Sequence, residues 1–284
     1  MIEIDGINRL TESEFEKFAK LIYEESGIFL KTIKITLLSN RLRKRLKALN
    51  LKSFTDYYNY IENLKDRSVE IEALLDVVST NETYFFRNER QFEALLKVCL
   101  PDMVQKKQKE KKLKIWSAGC STGEEPYTIG ICLSELMHNF SDWSVEIIAT
   151  DIAASVLEFA KKGEYSGRRI DKVKPEFLKK YFISRSNPDA ESYLIKDEIK
   201  KMVNFKMLNL FKDTYPENVD IIFCRNVMIY FDKEHQKKLL SGFYKSIAKN
   251  GYLFLGHSET IHAISEDFVY KKILDTPLYI PVVK

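Results

Sequence analysis

The stretch WSAGCSTGEEPYTIG, residues 116 to 130, has the residue types and spacing of a ligand-binding turn. It is typical of a strand end, a tight turn of small residues and the first turns of a helix. Such junctions usually bind anions, because free backbone N–H groups and the positive end of the helix dipole point at the ligand. In this sequence, however, two carboxylates, Glu124 and Glu125, open the predicted helix.

The two common phosphate-binding motifs do not fit this turn. A P-loop needs Lys and then Ser or Thr after its last glycine, but Gly123 is followed by Glu-Glu-Pro, and the dinucleotide fingerprint G-x-G-x-x-G is absent. Each carboxylate would repel a pyrophosphate by roughly 1 kcal/mol or more in a partly desolvated cleft, whereas it would attract a cation. The turn therefore favours a nucleoside that carries an ammonium and a sulfonium, S-adenosylmethionine.

Polar residues at other predicted strand ends support a ligand site over the alternative, in which the glutamates only complement the helix dipole. One strand ends in Asp151, which is suited to a ribose diol. Two others end in Asn209-Leu210 and Arg225-Asn226. Since the ligand of a doubly wound sheet lies at the carboxyl ends of its strands, these residues together predict a nucleoside cleft.

The elements that must position these residues begin at Leu113, where short apolar runs alternate with helical stretches. This pattern predicts a doubly wound α/β fold with a mainly parallel sheet. A helix from Asp232 to Lys249 is predicted to be capped by Asp232 and ended by Gly251. The final stretch, DFVYKKILDTPLYIPVV, predicts an antiparallel pair at the sheet edge. The predicted main strands are LKIWSA, VEIIATD, VNFKMLNL, VDIIFCRN and GYLFLGHSE.

A polar insertion, about 164 to 202, interrupts this alternation between Gly163 and Val203. One helix, KPEFLKKYF, is predicted there, followed by a small antiparallel β unit that turns at Asn187-Pro188. The insertion belongs to the second of two predicted domains, which span 1–78 and 79–284.

The first domain is predicted to be a small all-α bundle. Thr11 to Glu14 has the form of a capping box, Gly27 is a predicted helix stop, and Ser53 is predicted to cap a third helix. A fourth helix is predicted from about Val69 to Val78.

The second helix, about 34 to 50, has an apolar stripe formed by Ile35, Leu38, Leu42, Leu46 and Leu49. Its remaining faces are predicted to be basic, with Lys34, Arg41 and Arg45 on one flank, Arg43 and Lys47 on the other, and Lys44 opposite the stripe.

Composition excludes several classes of protein. The net charge is +4, but residues 27 to 55 contain eight Lys or Arg and no acidic residue, which predicts one local anionic partner surface. The four cysteines form no C-x-x-C pair, so neither a metal site nor a disulfide framework is predicted. Apolar runs are too short for membrane insertion and the N-terminus lacks signal-peptide features, so a cytoplasmic location is expected.

Several motifs give the chain a specific resemblance. NETYFFR (81 to 87), the turn at 116 to 130, ATDI (149 to 152) and FCRNVMIYF (223 to 231) followed by GHSE resemble the motifs of the chemotaxis receptor methyltransferases, the CheR family. The resemblance covers nearly the whole chain and implies S-adenosyl-L-methionine as cofactor, with S-adenosyl-L-homocysteine as product. The cofactor-contacting positions that it implies are Asn81, Thr83, Arg87, Gly119, Glu125, Asp151, Asn209, Leu210, Arg225 and Asn226. It also implies that Arg87 and Tyr230 lie beside the transferred methyl.

The reaction that this resemblance implies is methyl transfer to a receptor glutamate, forming a methyl ester. A glutamate is already ionised at pH 7, so the nucleophile needs no general base, and catalysis depends mainly on orientation. Arg87 would hold the incoming carboxylate, or would instead form a salt bridge or contact the carboxylate of the cofactor. Tyr230 would line the path of the methyl, or is simply a packed aromatic residue.

His257-Ser258-Glu259 is not a catalytic triad, because three consecutive residues cannot orient one another as nucleophile, base and orienting group. A loop that hydrogen-bonds near the cofactor is the better interpretation.

The basic helix is expected to dock the acidic cytoplasmic helices of methyl-accepting receptors through Lys34, Arg41, Lys44 and Arg45. Nucleic acid is not the expected partner, because the helix has few aromatic residues for base stacking. In the family, a tether to the receptor C-terminus goes with glycines in the turn of the insertion, and the stretch SRSNPDAES contains none, so the resemblance does not predict a tether. Two alternatives stay open: a methyltransferase acting on RNA or another macromolecule, and a cofactor-binding signalling module without activity.

Overall fold

The computed structural model describes residues 8–136, 142–187 and 190–283. Its N-terminal part is the predicted helical bundle. Thr11 and Glu14 form the predicted capping box, and Gly27 ends the first helix in the left-handed conformation (φ 72°). Ser53 caps the third helix by accepting a hydrogen bond from Asp56 N. The helices are α1 (Glu12–Ser26), α2 (Ile35–Ala48), α3 (Phe54–Asn63) and α4 (Ser68–Val78).

The bundle buries the apolar stripe of α2. Leu42 and Leu46 are fully buried, together with Phe18 of α1 and Tyr57 of α3. Such burial contributes about 1.5–3 kcal/mol for each large apolar side chain, so packing fixes the rotation of α2 about its axis.

The predicted basic faces of α2 are only partly correct. Arg43 is buried, its guanidinium lies over the ring of Phe54, and it donates to Asn40 Oδ1. Arg45 donates through two nitrogens to the buried carboxylate of Glu70, at 2.9 and 2.7 Å. Both residues were predicted to belong to basic faces of the helix, but their guanidinium groups reach partners within the bundle instead.

The main sheet confirms the α/β prediction. It has seven strands in the order β6-β2-β1-β7-β8-β10-β9, and its central pairs are parallel. The two last strands form the predicted antiparallel pair at the edge. The strands are β1 (Lys112–Ala118), β2 (Ser144–Asp151), β6 (Val203–Met207), β7 (Val219–Cys224), β8 (Ile247–Leu255), β9 (Phe268–Ile273) and β10 (Thr276–Pro281).

Helices cross over between β1 and β2, between β2 and β6, and between β7 and β8, while the first helices after the bundle precede β1. Asp232 caps the helix before β8, as predicted, but that helix ends at Ser246 and not near Gly251. Gly251 lies inside β8, where an added Cβ would be 2.7 Å from the carbonyl oxygen of Asp220 on β7. Its small size therefore serves strand packing and not helix termination. The helices are α5 (Glu89–Ala94), α6 (Leu100–Lys106), α7 (Glu124–Leu136), α8 (Ala154–Lys162), α9 (Pro175–Tyr181), α10 (Asp197–Lys200) and α11 (Lys233–Ser246).

The insertion forms a separate three-stranded antiparallel sheet in the order β3-β5-β4. Its strands are β3 (Glu164–Tyr165), β4 (Phe182–Asn187) and β5 (Ala190–Ile195). The predicted helix KPEFLKKYF is α9, which precedes β4. Of the predicted turn at Asn187-Pro188, Pro188 lies outside the described residues.

The helical bundle is joined to the α/β part at the carboxyl edge of the sheet. Phe29 N donates to Tyr230 O at 2.8 Å, and the adjacent Ile28 and Phe231 form an antiparallel bridge. Asn209 Nδ2 donates to Glu25 O of α1 at 2.8 Å. These contacts place the bundle over the ends of β6 and β7. The boundary between the predicted domains 1–78 and 79–284 stays a prediction.

No helix within the described residues is long and apolar enough to cross a membrane.

Candidate functional site: a cavity at the strand ends

A cavity of about 1030 Å³ lies between the helical bundle and the carboxyl ends of the central strands. The structure brings every residue predicted to contact the cofactor or the methyl to this cavity, although residues 81 and 230 are far apart in sequence. The roles of these residues stay predictions. They are Asn81, Thr83, Arg87, Gly119, Glu125, Asp151, Asn209, Leu210, Arg225, Asn226 and Tyr230.

The turn after β1 is fixed against the end of β2. Gly119 N and Cys120 N both donate to Thr150 O, at 2.8 and 2.9 Å. Gly119 has φ +81°, and a Cβ at this position would lie 2.4 Å from Val227 Cγ2. Only glycine fits there, because the position needs both a left-handed backbone and close approach to its neighbour.

Asp151 holds the other side of this turn. Its Oδ2 accepts a hydrogen bond from Ser121 N at 2.8 Å, and its Oδ1 accepts one from Ala153 N at 3.0 Å. Burial raises the pKa of Asp151 above the ordinary aspartate value, and the backbone donors oppose that shift. The buried carboxylate therefore has a fixed orientation at the cavity wall, as ribose recognition requires.

The two glutamates of the turn have different roles. Glu124 is fully buried and does not line the cavity; it pairs with Arg169 of the insertion and accepts from Thr122 Oγ1 at 2.7 Å. Glu125 does line the cavity. The expectation that both carboxylates attract a cationic ligand is thus wrong for Glu124, because a partner from the insertion neutralises it.

Glu125 is held by two neighbours. Ser117 Oγ donates to its Oε1 at 2.6 Å, and Arg225 Nη1 donates to its Oε2 at 3.0 Å. Burial raises the pKa of Glu125, while the Arg225 guanidinium opposes this shift. The guanidinium also lies over the ring of Phe92, with 5.1 Å from Cζ to the centroid, and donates to Arg87 O.

Unpaired buried polar atoms at the cavity wall indicate that it binds a polar ligand. Arg225 Nε and Asn226 Oδ1 are buried and have no hydrogen-bond partner within the described part of the chain. Such atoms cost about 1–3 kcal/mol each when left unsatisfied. One donor and one acceptor beside the carboxylates of Glu125 and Asp151 fit a nucleoside that carries an amino-acid group.

Asn209 positions the cavity wall. Its Nδ2 bonds α1, and its Oδ1 accepts from Phe211 N at 2.9 Å, so both ends of the amide are used within the protein. The adjacent Leu210 contributes an apolar wall next to it. The pair therefore couples the position of the bundle to the shape of the cavity.

Arg87 and Tyr230 are partly exposed residues of the cavity lining. Arg87 Nη1 donates to Glu82 O at 2.7 Å, and its guanidinium lies 5.9 Å from the ring centroid of Tyr84. Tyr230 is partly exposed, and Arg41 of α2 lines the same cavity. Burial lowers the pKa of Arg41, and the nearby Tyr230 opposes that shift.

The predicted docking residues separate into two groups. Lys34 and Arg41 line the cavity, and Arg41 donates to Val78 O and to Thr80 Oγ1. Lys44 is exposed but does not line it, and Arg45 is committed to Glu70. Arg45 is thereby corrected from a docking cation to a residue that stabilises the bundle.

The loop after β8 organises the segment between Asn226 and Tyr230. Glu259 accepts hydrogen bonds from Asn226 N at 2.9 Å, from Ile229 N at 3.2 Å and from Gly256 N at 2.6 Å. This agrees with the interpretation of His257-Ser258-Glu259 as a loop near the ligand site.

Two groups at the site were not predicted from the sequence. Ser117 orients Glu125, and its position at the end of the first predicted strand was an available signal. Arg169 neutralises Glu124 from 45 residues away, and no local pattern indicates this pairing.

The sheet and its cavity define an S-adenosylmethionine-dependent methyltransferase fold, preceded by a helical bundle. Comparison with known families gives the finer assignment. The SAM-binding domain of CheR methyltransferase matches residues 81–275, and the all-alpha domain of CheR methyltransferase matches residues 13–79. The chain belongs to the CheR methyltransferase family.

Curated relatives agree over most of the chain. A chemotaxis protein methyltransferase of Borreliella burgdorferi is 41% identical over 257 residues, which are 89% of each chain. Chemotaxis protein methyltransferase 2 of Vibrio cholerae is 35% identical and covers 93% of this chain and 91% of the relative. The chemotaxis protein methyltransferase of Escherichia coli is also 35% identical, over 92% of this chain and 89% of the relative. These matches establish methyl transfer from S-adenosylmethionine as the activity of this family member.

Proposed function

We propose that the protein methylates glutamate side chains in the cytoplasmic helices of chemoreceptors, forming methyl esters during chemotaxis adaptation. The names of its relatives support a chemotaxis substrate. Such a substrate implies that the protein works in the cytoplasm.

The observation that carries this proposal is the shared cavity of the cofactor residues and the basic helix α2. Asp151 and Glu125 line it from the sheet edge, whereas Arg41 of α2 and Lys34, the residue just before α2, line it from the helical bundle. A carboxylate substrate that enters beside α2 passes cationic groups on its way to the methyl. Electrostatic attraction of this kind raises the rate of encounter and makes it sensitive to salt.

The cofactor supplies an electrophilic methyl on a sulfonium. Asp151 and the turn at Gly119 bind its nucleoside part, and Glu125, Arg225 and Asn226 hold the amino-acid part. The acceptor glutamate is ionised at neutral pH, so the protein must orient its oxygen in line with the methyl and need not remove a proton.

Arg87 and Tyr230 are the proposed residues at the methyl. Arg87 orients a carboxylate, either that of the substrate or that of the cofactor, through charge-assisted hydrogen bonds. Tyr230 borders the path of the methyl. A fall in kcat with unchanged cofactor affinity in Arg87→Lys would assign Arg87 to the substrate, whereas a loss of cofactor affinity would assign it to the cofactor.

A label-transfer assay tests the proposal. The protein is incubated with methyl-labelled S-adenosylmethionine and a purified chemoreceptor cytoplasmic fragment, and the product is treated with base. We expect receptor label that base releases as methanol, and little label with Asp151→Ala. Base-stable label, or label that appears only in added RNA, would contradict the proposal.

A further inference from the structure

Four exposed apolar side chains lie at the mouth of the cavity, and we call them the apolar rim: Phe29, Ile33, Leu37 and Ile229. They are 48%, 85%, 39% and 53% exposed. All four line the cavity. Single exposed apolar residues are normal, but a group gathered at the opening of one cavity marks a surface that binds a partner.

The apolar rim crosses the junction between the bundle and the α/β part. Phe29 is fixed by its backbone hydrogen bond to Tyr230, and Ile229 directly precedes Tyr230. The rim therefore borders the residue proposed to lie beside the methyl. A partner that covered the rim would have its neighbouring side chains at the entrance to the reaction site.

Cationic side chains accompany the apolar rim. Lys31, Lys34 and Lys233 are exposed and line the same cavity. Glu82 is an exposed carboxylate among the lining residues. The surface is thus apolar with mostly cationic surroundings, and its complement is a segment with apolar and acidic residues on one face.

We propose that the apolar rim docks the receptor helix that carries the acceptor glutamate, by burying apolar side chains three or four positions from that glutamate. This rests on the proposed function. On a helix, residues at this spacing lie on the same face, about 5–6 Å apart. When the glutamate points into the cavity, these neighbours lie against the rim. The rim therefore selects which glutamates are methylated, while Lys34 and Arg41 attract acidic segments in general.

The test uses Ile33→Ser, Ile229→Ser and the double variant. Methylation of a purified receptor cytoplasmic fragment is measured as KM and kcat, and S-adenosylhomocysteine affinity is measured by calorimetry. We expect the double variant to raise KM for receptor about tenfold, with kcat within about twofold and unchanged cofactor affinity. The matched controls are Val69→Ser on α4 and Val269→Ser on β9, which are 76% and 45% exposed and lie outside the cavity lining. Both should behave as the parent protein.

A second arm changes the substrate. Serine replaces the apolar receptor residues three and four positions from the mapped glutamate. This change should raise KM for the parent enzyme but add little to the defect of the double variant, because the two changes remove the same contact. Independent, additive effects would overturn the proposal.

Other occupants of the rim give different results. If the parent protein binds vesicles of anionic phospholipid and the double variant does not, with KM unchanged, the rim is a membrane contact. If the parent protein dimerises in sedimentation and the variant is monomeric, with KM unchanged, the rim joins two copies. Either result overturns the proposal but leaves the proposed function intact, whereas a parent protein that places no base-labile methyl on receptor overturns both.

Discussion

Arg225 and Glu125 form an ion pair inside the cavity, with 3.0 Å between Arg225 Nη1 and Glu125 Oε2. Their side chains are 2% and 12% exposed. Arg225 follows β7 and Glu125 lies in the first turn of α7, so the pair joins two elements across the carboxyl edge of the sheet. The negative charge that faces a cationic ligand is therefore partly compensated within the protein, and ligand selectivity depends on this pair as a unit.

Glu125→Gln should weaken cofactor binding through the ammonium group. The change removes the charge while keeping a side chain that can accept from Ser117. We expect S-adenosylhomocysteine to lose about 1–2 kcal/mol of binding free energy and methylthioadenosine, which lacks the amino-acid group, to lose less. Calorimetry of both ligands measures the difference. Equal losses would mean that Glu125 acts on the fold of the turn and not on ligand charge.

Cofactor affinity should fall as pH is lowered from neutrality. Burial raises the pKa of both Asp151 and Glu125, so these groups take up protons at a pH above that of exposed carboxyls. The ligand binds their ionised forms, so binding should release protons in this range. Titrations across pH in buffers of different ionisation enthalpy measure that release. Asp151→Asn should bind more weakly at pH 7.5 and show a shallower pH dependence, and an unchanged profile would exclude Asp151 as a determinant.

Replacement of Arg45 should destabilise the protein, whereas replacement of Lys44, the adjacent basic residue of α2, should not. Arg45→Ala leaves the carboxylate of Glu70, which is 8% exposed, without its ion-pair partner, so we expect a loss of about 2–3 kcal/mol in the free energy of unfolding. Lys44→Ala should change it by no more than about 0.5 kcal/mol. Urea denaturation of both variants gives the comparison. Equal stability of the two variants would show that the Glu70 pairing contributes nothing.

Arg169→Met, a change in the insertion, should destabilise the turn between β1 and α7 that lines the cavity. The side chain of Glu124 is fully buried, and among the described residues loss of Arg169 leaves Thr122 as the polar side chain that contacts its charge. We expect a loss of about 2 kcal/mol in unfolding free energy and weaker cofactor binding. Adding Glu124→Gln should restore part of the unfolding free energy and part of the cofactor affinity, because the unpaired charge is then absent. A double variant with strictly additive losses would argue against coupling.

The sequence predicted which residues meet at the cavity better than it predicted the contacts that hold them. Asp151, Asn209 and Arg225 could be placed together because carboxyl ends of parallel strands meet at one edge of a sheet. That rule needs only the positions of the strands. Apolar alternation and periodicity supplied those positions, and the structure confirms both the parallel sheet and the antiparallel edge pair.

Long-range pairing of charges could not be predicted in the same way. The positions of Arg43 and Arg45 on α2 were correct by helical periodicity, but periodicity does not show that a long side chain reaches Glu70 or packs on a ring. Likewise, the position of Glu124 in the first turn of its helix could be predicted. Its ion-pair partner Arg169 could not, because Arg169 lies in the insertion. A glycine that follows a predicted helix is also an ambiguous signal for the helix end. Gly251 lies in β8 and allows close packing against β7.

The most direct test of the proposed function is to locate the transferred methyl. A receptor cytoplasmic fragment is methylated by the parent protein, digested under mildly acidic conditions that preserve esters, and sequenced by tandem mass spectrometry. We expect one added methyl on glutamate side chains of receptor helices, lost after base treatment and strongly reduced when Asp151→Ala replaces the parent protein. A methyl on lysine, arginine or a nucleic-acid base that survives base treatment would contradict it.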